Sequence, residues 1–255
     1  AEVSALLRRI YAESFWRWKP LPSGDQRRFI HDTSPDNIGP GVYVLLGGNR
    51  SGKSEAGAYA FARHCRITLA RVAKQRAALG EVTTAWVVGP TFELVAEITW
   101  KEKLRRMFAP GDVVKIAWRS EAKQWPEMIR LSSGVEIMFK SGDQGRGAFQ
   151  GKGIFLVWND EQVPDEVLEE TRLRTLDHAA PFLITETPID PDPAMQRRWE
   201  NPPAGWKFYQ TDIEDNRKSR GGHLPDEQVN QVLAAMLEEN PDLYETRKRG
   251  AFASL

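Results

Sequence analysis

Residues 47–54, Gly-Gly-Asn-Arg-Ser-Gly-Lys-Ser, constrain this chain more than any other stretch. They fit the pattern G-x-x-x-x-G-K-[ST] and follow directly on the apolar, β-forming run Gly-Val-Tyr-Val-Leu-Leu at 41–46. That run reads as a buried strand, and a helix is expected from about 53 to 74. Strand, glycine-rich turn and helix N-terminus in this order aim backbone N–H groups and the positive end of a helix dipole at a phosphate. Lys53 would bring a point charge to the β- and γ-phosphates, and the Ser54 hydroxyl would ligate Mg²⁺. Gly48, Asn49, Arg50, Ser51, Gly52, Lys53 and Ser54 are therefore the expected nucleotide-binding residues.

The rest of the chain continues the alternation. An amphipathic helix is expected over 3–16, then a Pro/Gly-punctuated stretch at 19–26 and a short helix ending near Pro35. Strands are expected at 84–89, 154–158, 181–185 and 206–210, with helices at 92–107 and 164–176. Residues 113–140 read as antiparallel β with turns near Ser120 and at 132–134. Residues 141–153 hold five glycines, too many for a regular element. Helices follow at 225–239 and 242–249. This pattern predicts an α/β fold of the P-loop NTPase kind, a mainly parallel sheet flanked by helices, with ligands bound beyond the carboxyl ends of the strands. The expected division is an ATPase core over 1–211 and a small helical subdomain over 212–255.

The second constellation is the apolar run at 154–158 ending in Asn159-Asp160-Glu161. A buried strand has no use for carboxylates, but its carboxyl end faces the nucleotide. Asp160 is placed to hold the Mg²⁺ shell, and Glu161 to orient or deprotonate the attacking water. The cofactors implied are ATP and Mg²⁺.

Composition removes several other classes. Lys+Arg and Asp+Glu are 35 each, so no global field collects nucleic acid and any such contact must be local. The single Cys65 excludes an internal disulfide and a cysteine-built zinc site. No apolar run approaches the roughly 18–20 residues of a membrane span, and the N-terminus lacks a secretory pattern.

Ser141-Gly142-Asp143-Gln144-Gly145-Arg146-Gly147-Ala148-Phe149-Gln150-Gly151, joined to the strand and Trp158-Asn159-Asp160-Glu161, resembles the large terminase subunit of tailed bacteriophages, a DNA-packaging ATPase. Val88-Gly89-Pro90-Thr91 resembles its strand-end element, Thr185-Glu186-Thr187-Pro188 its coupling motif, and 19–26 its adenine-side glutamine element. The resemblance implies an ATP-hydrolysing motor domain that moves double-stranded DNA into a procapsid. Portal protein, procapsid and small terminase subunit would be its partners, a homo-oligomeric ring its assembly, and the host cell cytoplasm its location. The family's C-terminal nuclease is not expected in this sequence. A helicase-type nucleic-acid ATPase, or a nucleotide-binding assembly module with little turnover, remains an alternative.

Four further residues follow from that resemblance. Gln26 would offer its amide to the adenine edge, and Thr187 would sense the γ-phosphate. Arg146 and Arg119 are the candidates for an arginine entering a neighbour's site. Arg50 departs from the family pattern, since Asn49 occupies the place where a basic residue often stands. The basic runs Lys101/Lys103/Arg105/Arg106 and Arg217/Lys218/Arg220 are possible DNA-phosphate contacts.

Overall fold

The structure is a computed structural model and describes residues 15, 17–190 and 192–252. The helix expected over 3–16 lies outside the described residues, apart from Phe15, which is helical and buried.

Eight strands form one sheet: β1 (Gly41–Gly47), β2 (Thr83–Gly89), β3 (Val113–Ser120), β4 (Trp125–Leu131), β5 (Val135–Ser141), β6 (Leu156–Asp160), β7 (Pro181–Glu186) and β8 (Trp206–Thr211). Their spatial order is β3-β4-β5-β2-β6-β7-β1-β8. From β5 to β8 every neighbour is parallel, whereas β3, β4 and β5 pair antiparallel. The expected antiparallel segment thus extends the main sheet.

The parallel strands are apolar on both faces because helices cover both. Tyr43, Leu45, Val87, Trp158 and Leu183 point to one face and pack with Ala56 and Phe61 of α2 (Lys53–Arg66). Val42, Val44, Leu46, Val88, Val157 and Ile184 point to the other, against Val167 and Leu168 of α5 (Asp165–Leu176) and Met195 of α6 (Pro193–Glu200). Each such aliphatic side chain contributes roughly 1.5–3 kcal/mol by leaving water. The strand ends carrying the polar residues are held in register by this double packing.

Two helices differ from expectation. The helix expected over 53–74 is broken at Ile67, where φ is −109° and ψ −68°, and α3 (Thr68–Ala77) starts a new direction. The adjacent β-branched Ile67 and Thr68 weaken the helix there. The break lets Leu69 and Ala73 bury against the β2/β5 part of the sheet. The helix expected over 92–107 is a single α-turn, α4 (Phe92–Leu94), capped by Thr91 Oγ1. It runs into a π-helix over Val95–Leu104 and a 3₁₀ turn over Arg105–Met107. Its buried residues Val95, Ala96, Thr99, Trp100 and Leu104 recur every four to five positions, which the wider π turn brings to one face.

The other helices are α1 (Gln26–Asp32), α7 (Asp226–Glu239) and α8 (Tyr244–Arg249). Among the described residues, no helix is long and apolar enough to cross a membrane.

Candidate active site

Three neighbouring strands, β6, β7 and β1, end side by side and deliver the polar groups. Lys53, the first residue of α2, is only 6% exposed, and its Nζ lies 2.6 Å from Oε1 of Glu161. Glu161 leaves β6 with φ +72°. A non-glycine residue adopts that region at a cost of roughly 1–3 kcal/mol, and such strain collects at functional sites. Two hydrogen bonds fix the turn. The N–H of Glu161 donates to the Thr185 carbonyl at 2.7 Å, and the N–H of Thr187 donates to Glu161 Oε2 at 2.9 Å. Thr187 Oγ1 donates to the Gly47 carbonyl at 2.8 Å, tying the end of β7 to the start of the loop.

Asp160 ends β6 and is 3% exposed. Its two oxygens accept from different threonines, Oδ2 from Thr99 Oγ1 and Oδ1 from Thr185 Oγ1, each at 2.8 Å. Thr185 Oγ1 in turn accepts from Trp158 Nε1 at 2.8 Å. Burial and the neighbouring Glu161 carboxylate raise the Asp160 pKa, while Lys53 and the two hydroxyls pull it down. Among the described residues, no group of three or more His, Cys, Asp or Glu could hold a metal alone. Asp160 with the Ser54 hydroxyl suits an ion that keeps mostly phosphate and water ligands, which is the habit of Mg²⁺. Ser51 Oγ is buried in the loop with no hydrogen-bond partner.

Beside Lys53 a cavity of about 370 Å³ is lined by Gly48, Arg50, Gly52, Ser54, Glu55, Lys103 and Asn216. A second, of about 530 Å³, contains Trp18, Leu21, Gln26 and Arg106, and shares Gly52, Glu55 and Asn216 with the first. The two are one cleft running over the start of α2. Gln26 is 2% exposed, and its amide is already engaged at both ends. Oε1 accepts the Leu21 N–H at 2.6 Å, and Nε2 donates to the Gly52 carbonyl at 3.0 Å. It therefore holds the 19–26 segment onto the loop and lines the wall of the cleft.

The C-terminal part closes on the loop from the other side. The Asn49 N–H donates to the Arg247 carbonyl of α8 at 2.7 Å, and Asn216 Nδ2 donates to the Arg50 carbonyl at 2.8 Å. The backbones touch. A Cβ on Gly48 would stand 2.1 Å from the Lys248 oxygen, and one on Gly250 2.5 Å from the Gly47 nitrogen.

The remaining expectations scatter. Arg146 pairs with the buried Glu170 at 3.0 Å, and the Arg119 guanidinium lies 4.2 Å from the Phe92 ring centre. Neither lines the cleft. The basic run after β2 is not a bare cationic face. Lys101 pairs with Glu97, and Lys103 and Arg106 both pair with Glu55. In the second run Arg217 and Arg220 pair with Glu214.

Several site residues escaped the sequence reading: Thr99, Thr185, Glu55, Asn216 and Glu186. Thr185 and Glu186 lay inside a segment already singled out, so their position at a strand end was a usable signal. Glu186 is 2% exposed, and its Oε1 has no partner. Burial first, then Asp192 and Glu161, push its pKa up to about 8.

Residues 44–233 match the protein family described as "Terminase large subunit, T4likevirus-type, N-terminal". The large terminase subunit of Salmonella phage P22 is 27% identical over 191 residues, covering 67% of this chain and 36% of that protein, so the chain spans little more than a third of this relative. A substituted ATPase domain of the Thermus phage P74-26 large terminase superposes with a TM-score of 0.53 at 15% identity, covering 92% of this chain and 94% of that one. The HK97 bacteriophage large terminase superposes with a TM-score of 0.55 at 15% identity, covering 94% and 53%. With well over half of its length inside the family match, the chain belongs to the phage terminase large subunits, in their N-terminal region.

Proposed function

We propose that this chain is the ATP-hydrolysing motor domain of a viral DNA-packaging machine, catalysing attack of water on the γ-phosphate of ATP. The observation that carries the reading is the convergence of Lys53 and Glu161 at 2.6 Å, where the loop after β1 meets the end of β6. The loop amides and Lys53 bind and orient the polyphosphate. Glu161, its carboxylate aligned by the Thr187 N–H, orients the attacking water and accepts its proton. Ser54 and Asp160 would hold Mg²⁺, which when bound offsets charge on the β- and γ-phosphate oxygens.

Lys53 cannot serve Glu161 and a triphosphate equally. Nucleotide entry draws the ammonium to the phosphates and frees Oε1 of Glu161 for water. The base that acts in hydrolysis is thus held neutralised until substrate arrives.

Residues 212–255 would act as a helical subdomain that covers the cleft, since Asn216 and the Arg247 carbonyl bond the loop. Arg146 or Arg119, both on the surface, would serve a neighbouring subunit in a ring. Double-stranded DNA, portal, procapsid and small subunit would be partners in the host cytoplasm. The test is packaging of DNA into procapsids by the full-length protein, wild type against Glu161→Gln. Packaging at the wild-type rate by the variant would overturn the reading.

A further inference from the structure

Glu55 stands third in α2, one residue after Ser54. Its two carboxylate oxygens are taken by two cations. Lys103 Nζ lies 3.2 Å from Oε1, and the Arg106 guanidinium bonds Oε2. Lys103 comes from the π-helix and Arg106 from the 3₁₀ turn after it. Lys103 lines the part of the cleft that holds Lys53, Arg50 and Ser54, and Arg106 lines the part that holds Gln26 and Trp18.

A carboxylate planted beside a phosphate-binding loop repels the anion the loop is built to receive. Two cations offset the Glu55 carboxylate at the mouth of the cleft, Lys103 Nζ also lying 4.0 Å from the more exposed Glu102 carboxylate. A partly exposed ion pair contributes only about 0–1 kcal/mol to stability, so folding alone is a weak reason to gather three charges there. Lys103 also stands four residues after Thr99, whose hydroxyl holds Asp160, on the same inward-facing helix.

We propose that Lys103 and Arg106 are nucleotide-binding residues, stationed at the cleft by Glu55 until a polyphosphate replaces it as their partner. Lys103, a compact point charge, serves the distal phosphates, and Arg106, with its planar fork, the nucleoside end and the first phosphate. This rests on the phosphate-loop reading above and adds two cations from the same chain to it.

The experiment titrates the full chain with fluorescent analogues of ATP, ADP and AMP in Mg²⁺. The variants are Lys103→Gln, Arg106→Gln, Glu55→Gln and Lys53→Ala. Lys103→Gln is expected to weaken ATP binding roughly tenfold, the scale of a charge-assisted contact, with AMP little affected. Arg106→Gln should weaken all three ligands. Glu55→Gln should bind ATP as well as or better than wild type, because it removes a competing anion. Wild-type affinity in both the Lys103 and Arg106 variants, with binding lost in Lys53→Ala, overturns this inference alone. Wild-type affinity in Lys53→Ala overturns the phosphate-loop reading beneath it. Equal weakening in Glu55→Gln and Lys103→Gln, irrespective of phosphate number, would make the trio a structural strut and overturn the inference as well.

Discussion

Lys53 and Glu161, 108 positions apart in the chain, meet at 2.6 Å with the lysine almost wholly buried. The pair neutralises the buried lysine, proposed above to bind phosphate, with the carboxylate proposed above to activate water, so the ammonium is not left as a lone buried charge. Glu161→Gln removes the competitor for Lys53. ATP binding should be retained or tightened, while hydrolysis falls by roughly 10²-fold or more, the usual contribution of a general base. Equilibrium binding of an ATP analogue beside steady-state phosphate release separates the two effects. Unchanged hydrolysis would place the base elsewhere.

Thr99 and Thr185 each give one hydroxyl to Asp160. Groups that orient a metal-binding carboxylate typically matter by 10–100-fold in affinity or activity. Thr99→Val keeps the branched shape and deletes one donor. The Mg²⁺ concentration giving half-maximal ATPase rate should rise roughly tenfold, and the melting temperature should fall modestly, because one oxygen of the buried carboxylate loses its donor. A Mg²⁺ requirement equal to wild type would show that Asp160 does not depend on this hydroxyl.

Much of this site was legible in the sequence, because the loop at 47–54 and the acids at 160–161 are local patterns bound to strand ends. The parallel sheet was legible for the same reason, through its alternation of apolar runs and helices. What was not legible depends on distance in the chain. Thr99 reaches Asp160 from a π-helix, whose four-to-five-residue period resembles an ordinary helix over so short a span. The pairing of Lys103 and Arg106 with Glu55 turns part of a run that reads as a possible DNA-phosphate contact into the wall of a cleft. The resemblance offers Gln26 to the adenine edge, but Leu21 and Gly52 take both ends of its amide, contacts that depend on the fold and not on local pattern.

Glu186 points its carboxyl into the interior, with its pKa pushed up to about 8 by burial first and then by Asp192 and Glu161, against the opposing pull of Lys53 and Arg198. The sign of the linkage follows. Below the ordinary glutamate pKa of 4.5, folded and unfolded chains both hold the proton, and the group has no effect. Between there and about 8 the unfolded chain releases the proton while the folded one keeps it, so stability falls as pH rises. Above about 8 the full penalty is present. Glu186→Gln should therefore match wild type near pH 4 and be more stable at pH 8–9, by an amount on the order of a few kcal/mol. Urea midpoints across that range would check it. A constant difference at all pH values would mean the carboxyl does not titrate there.

The end of α8 lies against the phosphate loop with no side chain between them. Gly250 has φ +68° as the residue that stops α8, and a Cβ there would lie 2.5 Å from the Gly47 nitrogen. Both the left-handed backbone and the close approach select glycine. Gly250→Ala should lower stability by roughly 1–2 kcal/mol from the backbone strain alone, and the steric clash should also lift α8 off the loop. The contact that suffers is the hydrogen bond from the Asn49 N–H to the Arg247 carbonyl. Amide hydrogen exchange at Asn49 should accelerate in the variant, and cleavage after Arg247, Lys248 or Arg249 by trypsin should become faster. In wild type, on the proposed function, an ATP analogue would draw the Asn49 N–H from α8 toward phosphate and should speed the same cleavage. Protection from trypsin on nucleotide binding would instead show that α8 stays seated on the loop while the phosphates enter.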